Sequence, residues 1–323
     1  MPMEAAAASQ TIAPLHHRPI APVNFWSVQL RRQFGGRVQR IALDAGLSCP
    51  NIDGTRARGG CNFCDASGSL AAYGARRLSL RGQLERGMRH LGKRFRAAKF
   101  IAYLQPHTNT HAPVEHLREI FAEILEHPQA VGLALGTRPD CLPDGVLDHL
   151  AEIHARKFVW LEIGLQSAHE ASLTWMNRAH SVAEWIDAVG RAKARGLFVG
   201  THIILGLPDE TREDWHRTAG LIARHRVDGL KIHMLYIDRR ARLAAGHERS
   251  PLTLLTREQY AAGAVDVLER VPASVAIMRL VSECSAQHLV APPWLLDKRG
   301  TLREIEGEME RRGTWQGRLA SAP

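Results

Sequence analysis

Two rhythms of apolar positions alternate along this chain. Residues 38–43 alternate apolar and polar as a half-buried strand does, and residues 78–95 then put Leu80, Leu84, Met88 and Leu91 on one face of a helix. Residues 99–104 predict a second strand. Residues 113–125 predict a helix, with Pro113 near the favoured first position and Val114, Leu117, Ile120, Phe121 and Ile124 as its apolar side. The exchange continues with strands over 131–135, 159–164, 198–205 and 230–235, separated by helices over 144–156, 183–195 and 213–225. Six strands, each followed by a helical or mixed segment, imply a parallel sheet with right-handed crossovers. Gly196, Gly200 and Gly206 bracket the fifth strand and suit tight turns.

Ahead of the first strand, residues 24–32 suggest a short amphipathic helix with Phe25, Trp26, Val28 and Leu30 as its apolar content. After residue 238 the pattern loosens into a helix over 257–268, an additional edge strand over 275–281 and a terminal helix over 302–312. Three regions follow: a tail over 1–23, a core over 24–240, and a C-terminal α/β extension over 241–323 that completes the domain. The tail is rich in Ala, Gln, His and Pro without a sustained period, which predicts disorder. His16 and His17 within it read as a solvated pair.

A chain of 323 residues with 45% hydrophobic and 23% charged residues suits one large α/β domain with appendages. No apolar run approaches the length of a membrane span, and the first residues lack the basic start and apolar core of a signal peptide. The expected location is the cytoplasm, where thiols stay reduced, with no membrane partner. Lys and Arg number 42 against 33 Asp and Glu, a net charge of +9. Much of that excess lies between residues 76 and 99: Arg76, Arg77, Arg81, Arg86, Arg89, Lys93, Arg94, Arg96 and Lys99 stand against Glu85 alone. A helix so charged can track a phosphate backbone; the plainer alternative is the solvated face of an Arg-rich protein.

Three of the five cysteines, Cys49, Cys61 and Cys64, fall in one loop rich in Gly, Pro, Asn and Asp just after the first strand. Thiolates are soft ligands for zinc, copper(I) or iron–sulfur clusters. A structural zinc site wants four ligands, and here only one close pair is present, so zinc would need Asp53, Asp65 or a distant His107. A disulfide framework fits poorly to a long chain without a secretory signal and leaves one of the three cysteines over. The third reading is a [4Fe–4S] cluster with three protein thiolates and one open iron.

The stretch Cys49-x11-Cys61-x2-Cys64, with Phe63 before the last cysteine, resembles the radical S-adenosylmethionine (SAM) superfamily, although the commonest spacing there is C-x3-C-x2-C. Longer first spacings occur in the branch that includes the elongator catalytic subunit. Gly136-Thr-Arg-Pro-Asp-Cys141, Glu162-Ile-Gly-Leu-Gln-Ser167, Gly206-Leu-Pro-Asp-Glu-Thr211 and Lys231-Ile-His-Met-Leu235 follow in order. Together they resemble the YhcC/YtqA-like (MnmL-like) family of bacterial radical SAM proteins over roughly residues 25–318.

The resemblance implies a partial (β/α)6 TIM-like barrel in which Cys49, Cys61 and Cys64 ligate a [4Fe–4S] cluster and SAM chelates its fourth iron. Reduction would then cleave SAM to methionine and a 5′-deoxyadenosyl radical that takes a hydrogen atom from substrate, the work of an oxidoreductase or transferase. For SAM, the matching positions are Gln105, where the usual Gly-Gly-Glu-like run is absent, with Thr137, Glu162 and Gln166 for the ribose and methionine portions and Gly206 beside the adenine. The implied partners are tRNA, through wobble-uridine side chains of the carboxymethylaminomethyl type, and an electron donor such as flavodoxin or ferredoxin. A radical SAM enzyme of a small metabolite or protein, and a noncatalytic metal-bound RNA adaptor, are the competing readings.

In parallel barrels chemistry collects at the C-terminal strand ends, so the polar residues there form a candidate pocket. They are Gln105, His107, Thr108 and Asn109 after strand two, Thr137 and Arg138 after strand three, Glu162, Gln166 and Ser167 at strand four and His202 in strand five. Lys231 and His233 lie along strand six, with their orientation undecided by sequence. Cys141, just beyond strand three, reads as a packed thiol, and Cys284 has no role assigned by the sequence.

Overall fold

The computed structural model describes residues 22–65 and 78–320. The predicted tail up to residue 21, with His16 and His17, lies outside the described residues, as do Arg76 and Arg77. Val23 is already buried in the core.

Seven parallel strands form one sheet: β1 (Val38–Leu43), β2 (Lys99–Leu104), β3 (Ala130–Thr137), β4 (Phe158–Gln166), β5 (Phe198–Leu205), β6 (Gly229–Met234) and β8 (Ala276–Arg279), adjacent in that order. Between β6 and β8 comes the short β7 (Ile237–Asp238), which pairs antiparallel with β9 (Leu289–Ala291). The helices are α1 (Trp26–Phe34), α2 (Leu80–Phe95), α3 (Val114–Leu125), α4 (Asp144–His154), α5 (Glu170–Trp175), α6 (Val182–Ala194), α7 (Arg212–Arg224), α8 (Arg242–Arg249), α9 (Arg257–Arg270) and α10 (Lys298–Arg312). This is the partial barrel that the sequence implied, with the predicted edge strand present as β8 and parallel to β6. The short α5, α8, β7 and β9 were not predicted. No described helix is long and apolar enough to cross a membrane.

Apolar faces of the surrounding helices pack on the outside of the sheet in the main core. The concave side is filled at its base by Trp26 and Leu30 of α1 with Ile101, Tyr103, Phe158, Trp160 and Phe198. Trp26 meets Trp160 with ring centroids 5.0 Å apart. Of the four apolar residues expected to define α1, Trp26 and Leu30 are buried while Phe25 and Val28 remain exposed.

Gly200 corrects an expectation. Gly196 and Gly206 do adopt positive φ at the two ends of β5, but Gly200 lies inside the strand, where a Cβ would sit 2.8 Å from the Trp160 indole nitrogen. Gly229 on β6 makes the same allowance, with a Cβ only 2.4 Å from the ring. The two glycines leave room for the tryptophan that plugs the barrel. Gly229→Ala is therefore expected to destabilise the fold by about 1–3 kcal/mol in denaturant unfolding, since a rigid ring must move. Gly190→Ala is the control: nothing lies within 4 Å of that Cβ, inside α6, and the change should stabilise by about 0.5–1 kcal/mol. Equal effects at the two positions would contradict this packing.

Candidate active site

β1 ends at Leu43 and releases the chain into the cysteine loop above the C-terminal strand ends. The loop is pinned by hydrogen bonds. Asn51 Nδ2 donates to the carbonyls of Asn177 (2.5 Å) and Arg178 (3.1 Å), and Asn177 Nδ2 returns to Arg58 O (3.1 Å) and Gly60 O (2.7 Å). The backbone N–H of Asn62 reaches Met176 O at 2.9 Å. Residues 176–178, just after α5, thus form a buttress for the loop.

Beneath the loop lies a cavity of about 440 Å³. Cys49, Cys61 and Cys64 line it together with Gln105, Thr137, Glu162 and Gln166, so seven of the eight predicted site residues share one space. Gly206 does not line it; at φ +84° it packs beside Leu255. His107, Thr108, Arg138, His202, Lys231 and His233 are also in the wall. Both strand-six residues whose orientation was undecided therefore face inward.

The cavity is chemically suited to a thiolate-bound cluster and a polar cofactor. Two N–H donors point at the Cys61 sulfur, Arg178 Nη1 at 3.3 Å and Asn51 Nδ2 at 3.4 Å, the hydrogen bonds a metal-bound sulfur accepts from its surroundings. Thr108 Oγ1 and Arg138 Nη1 are buried without a protein partner, and both residues line the cavity. Such orphaned polar atoms are rare and call for a ligand or water. Among the described residues no three His, Cys, Asp or Glu side chains converge as they would on a single ion. At the top of β4, Gln166 holds φ +74° and its amide lies over Gly164, where a Cβ would come within 2.5 Å of Nε2. A non-glycine residue kept in that conformation stores about 1–3 kcal/mol, a signature of functional positions.

Mid-barrel, a charged network forms the floor. Glu162, 1% exposed, accepts hydrogen bonds from Tyr103 Oη (2.7 Å) and Lys231 Nζ on one oxygen, which also lies 2.9 Å from His202 Nε2, while Arg40 approaches the other at 3.3 Å. Lys231 also reaches the Tyr103 hydroxyl at 3.0 Å. Burial would raise the Glu162 carboxyl, but Lys231 first, then His202 and Arg40, hold it well below the usual range. Burial pushes Lys231 down to about 7 against the pull of Glu162, and burial with Lys231 takes His202 down to about 4. Burial first, then His202, holds His233 well below its usual value, so both histidines are neutral at pH 7. Glu162 lines the cavity, yet its carboxylate is committed to holding these side chains.

Sequence reasoning missed Arg40, Tyr103, Arg178 and Arg279. Arg40 and Tyr103 carried one signal: each shares its strand parity with inward-facing residues. Cys141 stands apart from the cavity in a groove beside the loop, buried, with its sulfur 3.9 Å from His111 Nδ1. Cys284 is half-buried against Asp238 Oδ2 at 3.5 Å.

A barrel of parallel strands with three cysteines on the loop after β1 is the architecture of a radical SAM protein. The Radical SAM superfamily model matches residues 52–222, and the Radical SAM C-terminal domain model matches residues 227–311. YtqA of Bacillus subtilis, an uncharacterized protein, is 39% identical over 290 residues, covering 90% of each chain. The chain belongs to the radical SAM superfamily and, within it, to the YhcC/YtqA-like family. A threonylcarbamoyladenosine tRNA methylthiotransferase of Danio rerio is 36% identical over 118 residues, 34% of this chain and 21% of that one. Among solved structures, Elp3 of the archaeon Methanocaldococcus infernus superposes with a TM-score of 0.63 at 18% identity, covering 86% of this chain and 64% of that one.

Proposed function

We propose that this radical SAM enzyme acts on tRNA, at a wobble-uridine side chain of the carboxymethylaminomethyl type, with Cys49, Cys61 and Cys64 as the ligands of a [4Fe–4S] cluster. Cluster and SAM, when bound, supply a one-electron cleavage that yields methionine and a 5′-deoxyadenosyl radical for hydrogen-atom abstraction. The chain's own residues do the rest. Arg178 and Asn51 stabilise the Cys61 thiolate, Gln105, Thr137 and Gln166 with Arg138 and Thr108 offer polar contacts to SAM, and the Glu162 network closes the floor against water. Gly206, at the end of β5 and off the cavity wall, would border the adenine end of SAM. A flavodoxin or ferredoxin as electron donor and a cytoplasmic location fit an oxygen-labile cluster.

The observation that carries the RNA reading is α2. One face buries Leu80, Leu84, Met88 and Leu91 against the barrel, and the other exposes Arg81, Arg86, Arg89, Lys93, Arg94 and Arg96. Arg81 pairs with Glu85 at 3.2 Å. Arg86, Arg89, Lys93 and Arg96 have no acidic partner among the described residues, leaving a line of cations down a helix about 24 Å long. It runs from the rim toward the barrel base, so it would hold the body of an RNA while Arg58 and Arg242 stand exposed at the mouth. The partial similarity to a protein named as a tRNA methylthiotransferase supports the same substrate class.

Wild-type affinity for tRNA should fall with salt by roughly 0.9 log unit per decade for each duplex phosphate contacted. Reversing charge at Arg89, Lys93 and Arg96 should weaken binding and flatten that slope, and SAM cleavage without RNA should persist because the cysteine loop is untouched. Undetectable or salt-insensitive tRNA binding beside active SAM cleavage would point to a small-molecule or protein substrate.

A further inference from the structure

The cavity wall carries more positive charge than its own carboxylates neutralise. Six cationic side chains line it: Arg138, Arg178, Lys231, Arg240, Arg242 and Arg279, against the carboxylates of Glu162 and Asp65. Most have a partner. Arg138 pairs with Asp140 at 2.9 Å, Arg240 with Asp65 at 2.8 Å, Lys231 with Glu162, and Arg178 serves Cys61. Arg279 differs from these. It makes no hydrogen bond among the described residues, and its one ion pair is a loose 3.8 Å approach to Glu283, whose other oxygen is held by Lys298.

The fold aims this residue inward by a local irregularity. The ladder between β6 and β8 slips after Leu230, which pairs with Ile277, so that Lys231 lies opposite Arg279. Strand alternation from Ala276 would have turned position 279 outward; the slip sends its guanidinium into the cavity beside Lys231. Arg40, from the opposite open edge of the sheet, adds a third cation near Glu162. His202 and His233 are neutral and offset none of it. A guanidinium with unspent donors, in a cavity of net positive charge, is a fork suited to a carboxylate.

We propose that Arg279, supported by Lys231, is the subsite that recognises a carboxylate on the substrate. Resting on the tRNA reading above, that group is the terminal carboxylate of the uridine side chain. SAM carries a carboxylate too, but the arginine nearest the cysteines is Arg178, which contacts Cys61. Lys231, the register partner of Arg279, sits three residues before the end of β6, about 10 Å below the strand ends. The subsite therefore lies at substrate depth in the barrel, beneath the rim where the cysteine loop stands.

The test uses the reconstituted full chain and two anticodon stem-loop RNAs, one with 5-carboxymethylaminomethyluridine at the wobble position and one with 5-aminomethyluridine. Equilibrium binding is measured for wild type, Arg279→Gln and Arg279→Lys, with SAM affinity alongside. The wild type should prefer the carboxylate-bearing RNA by about tenfold or more. Arg279→Gln should bring the two affinities to within about twofold, and Arg279→Lys should keep part of the preference because the charge remains. Equal binding of both RNAs by the wild type overturns the subsite and leaves the tRNA reading standing. A preference that survives in Arg279→Gln, or a loss of SAM affinity in that variant matching the loss of RNA affinity, also overturns it. Failure of the wild type to bind either RNA removes the tRNA reading, and the proposed occupant with it.

Discussion

Replacing Cys61 by Ala is expected to reduce iron and sulfide in the anaerobically reconstituted protein to background and to abolish SAM cleavage. The sulfur at that position receives N–H bonds from Arg178 and Asn51, and the residue is buried where the loop closes over the cavity. Two thiolates cannot hold securely a cluster that needs three. Cys49→Ala and Cys64→Ala should behave in the same way. Cys141→Ala and Cys284→Ala should retain iron, since Cys141 faces a separate groove and Cys284 packs against Asp238. Normal iron content in Cys61→Ala would overturn the ligand assignment.

The second large effect concerns stability. Glu162→Gln removes the carboxylate that holds buried Lys231, the only one in contact with it among the described residues, so Lys231 must stay as an uncompensated cation or give up its proton, and the change should cost about 3–5 kcal/mol at pH 6 and less as pH rises. The double variant Glu162→Gln with Lys231→Met should recover much of the loss, because a buried pair replaced on both sides is nearly neutral. The pH dependence has a definite sign. Lys231 titrates at about 7 when folded, against about 10.4 in the unfolded chain. Between those values the unfolded state binds more protons, so this group makes stability rise with pH, and its cost is present in full below 7. In Glu162→Gln the attraction that held the proton is gone, and the rising window should begin at lower pH. Denaturant unfolding of the three proteins across pH 6 to 10 checks both points; a Glu162→Gln variant as stable as wild type would contradict the network.

The barrel was legible because its helices bury one long apolar face, which leaves a period of 3.6, and its strands, most of them buried on both faces, stand out as short apolar runs between the helices. α5, α8, β7 and β9 span too few residues to carry a period. The cysteine loop was legible for a different reason, as thiols clustered on a Gly- and Pro-rich loop have few other chemical uses. The barrel floor was only half legible. Lys231, His233, Glu162 and His202 stood out as polar residues in strands, but their meeting depends on register between strands far apart in the chain. Arg279 was hidden altogether, since the slip that turns it inward lies in the β6–β8 ladder and has no mark in either strand's own sequence. Gly200 read as a turn residue because nothing in its own strand shows that Trp160 fills the space of its missing side chain. Arg178 gave no signal because it acts through the turn after α5, about 117 residues from the cysteine it contacts.

The proposed radical chemistry on a tRNA side chain can be read from the nucleosides themselves. Reconstituted enzyme is incubated anaerobically with SAM, a reductant and total tRNA, after which nucleosides and 5′-deoxyadenosine are quantified by mass spectrometry. A carboxymethylaminomethyl-type wobble nucleoside should be depleted, a product should appear, and 5′-deoxyadenosine should form above the RNA-free control. Vigorous 5′-deoxyadenosine formation with every tRNA nucleoside unchanged would contradict it.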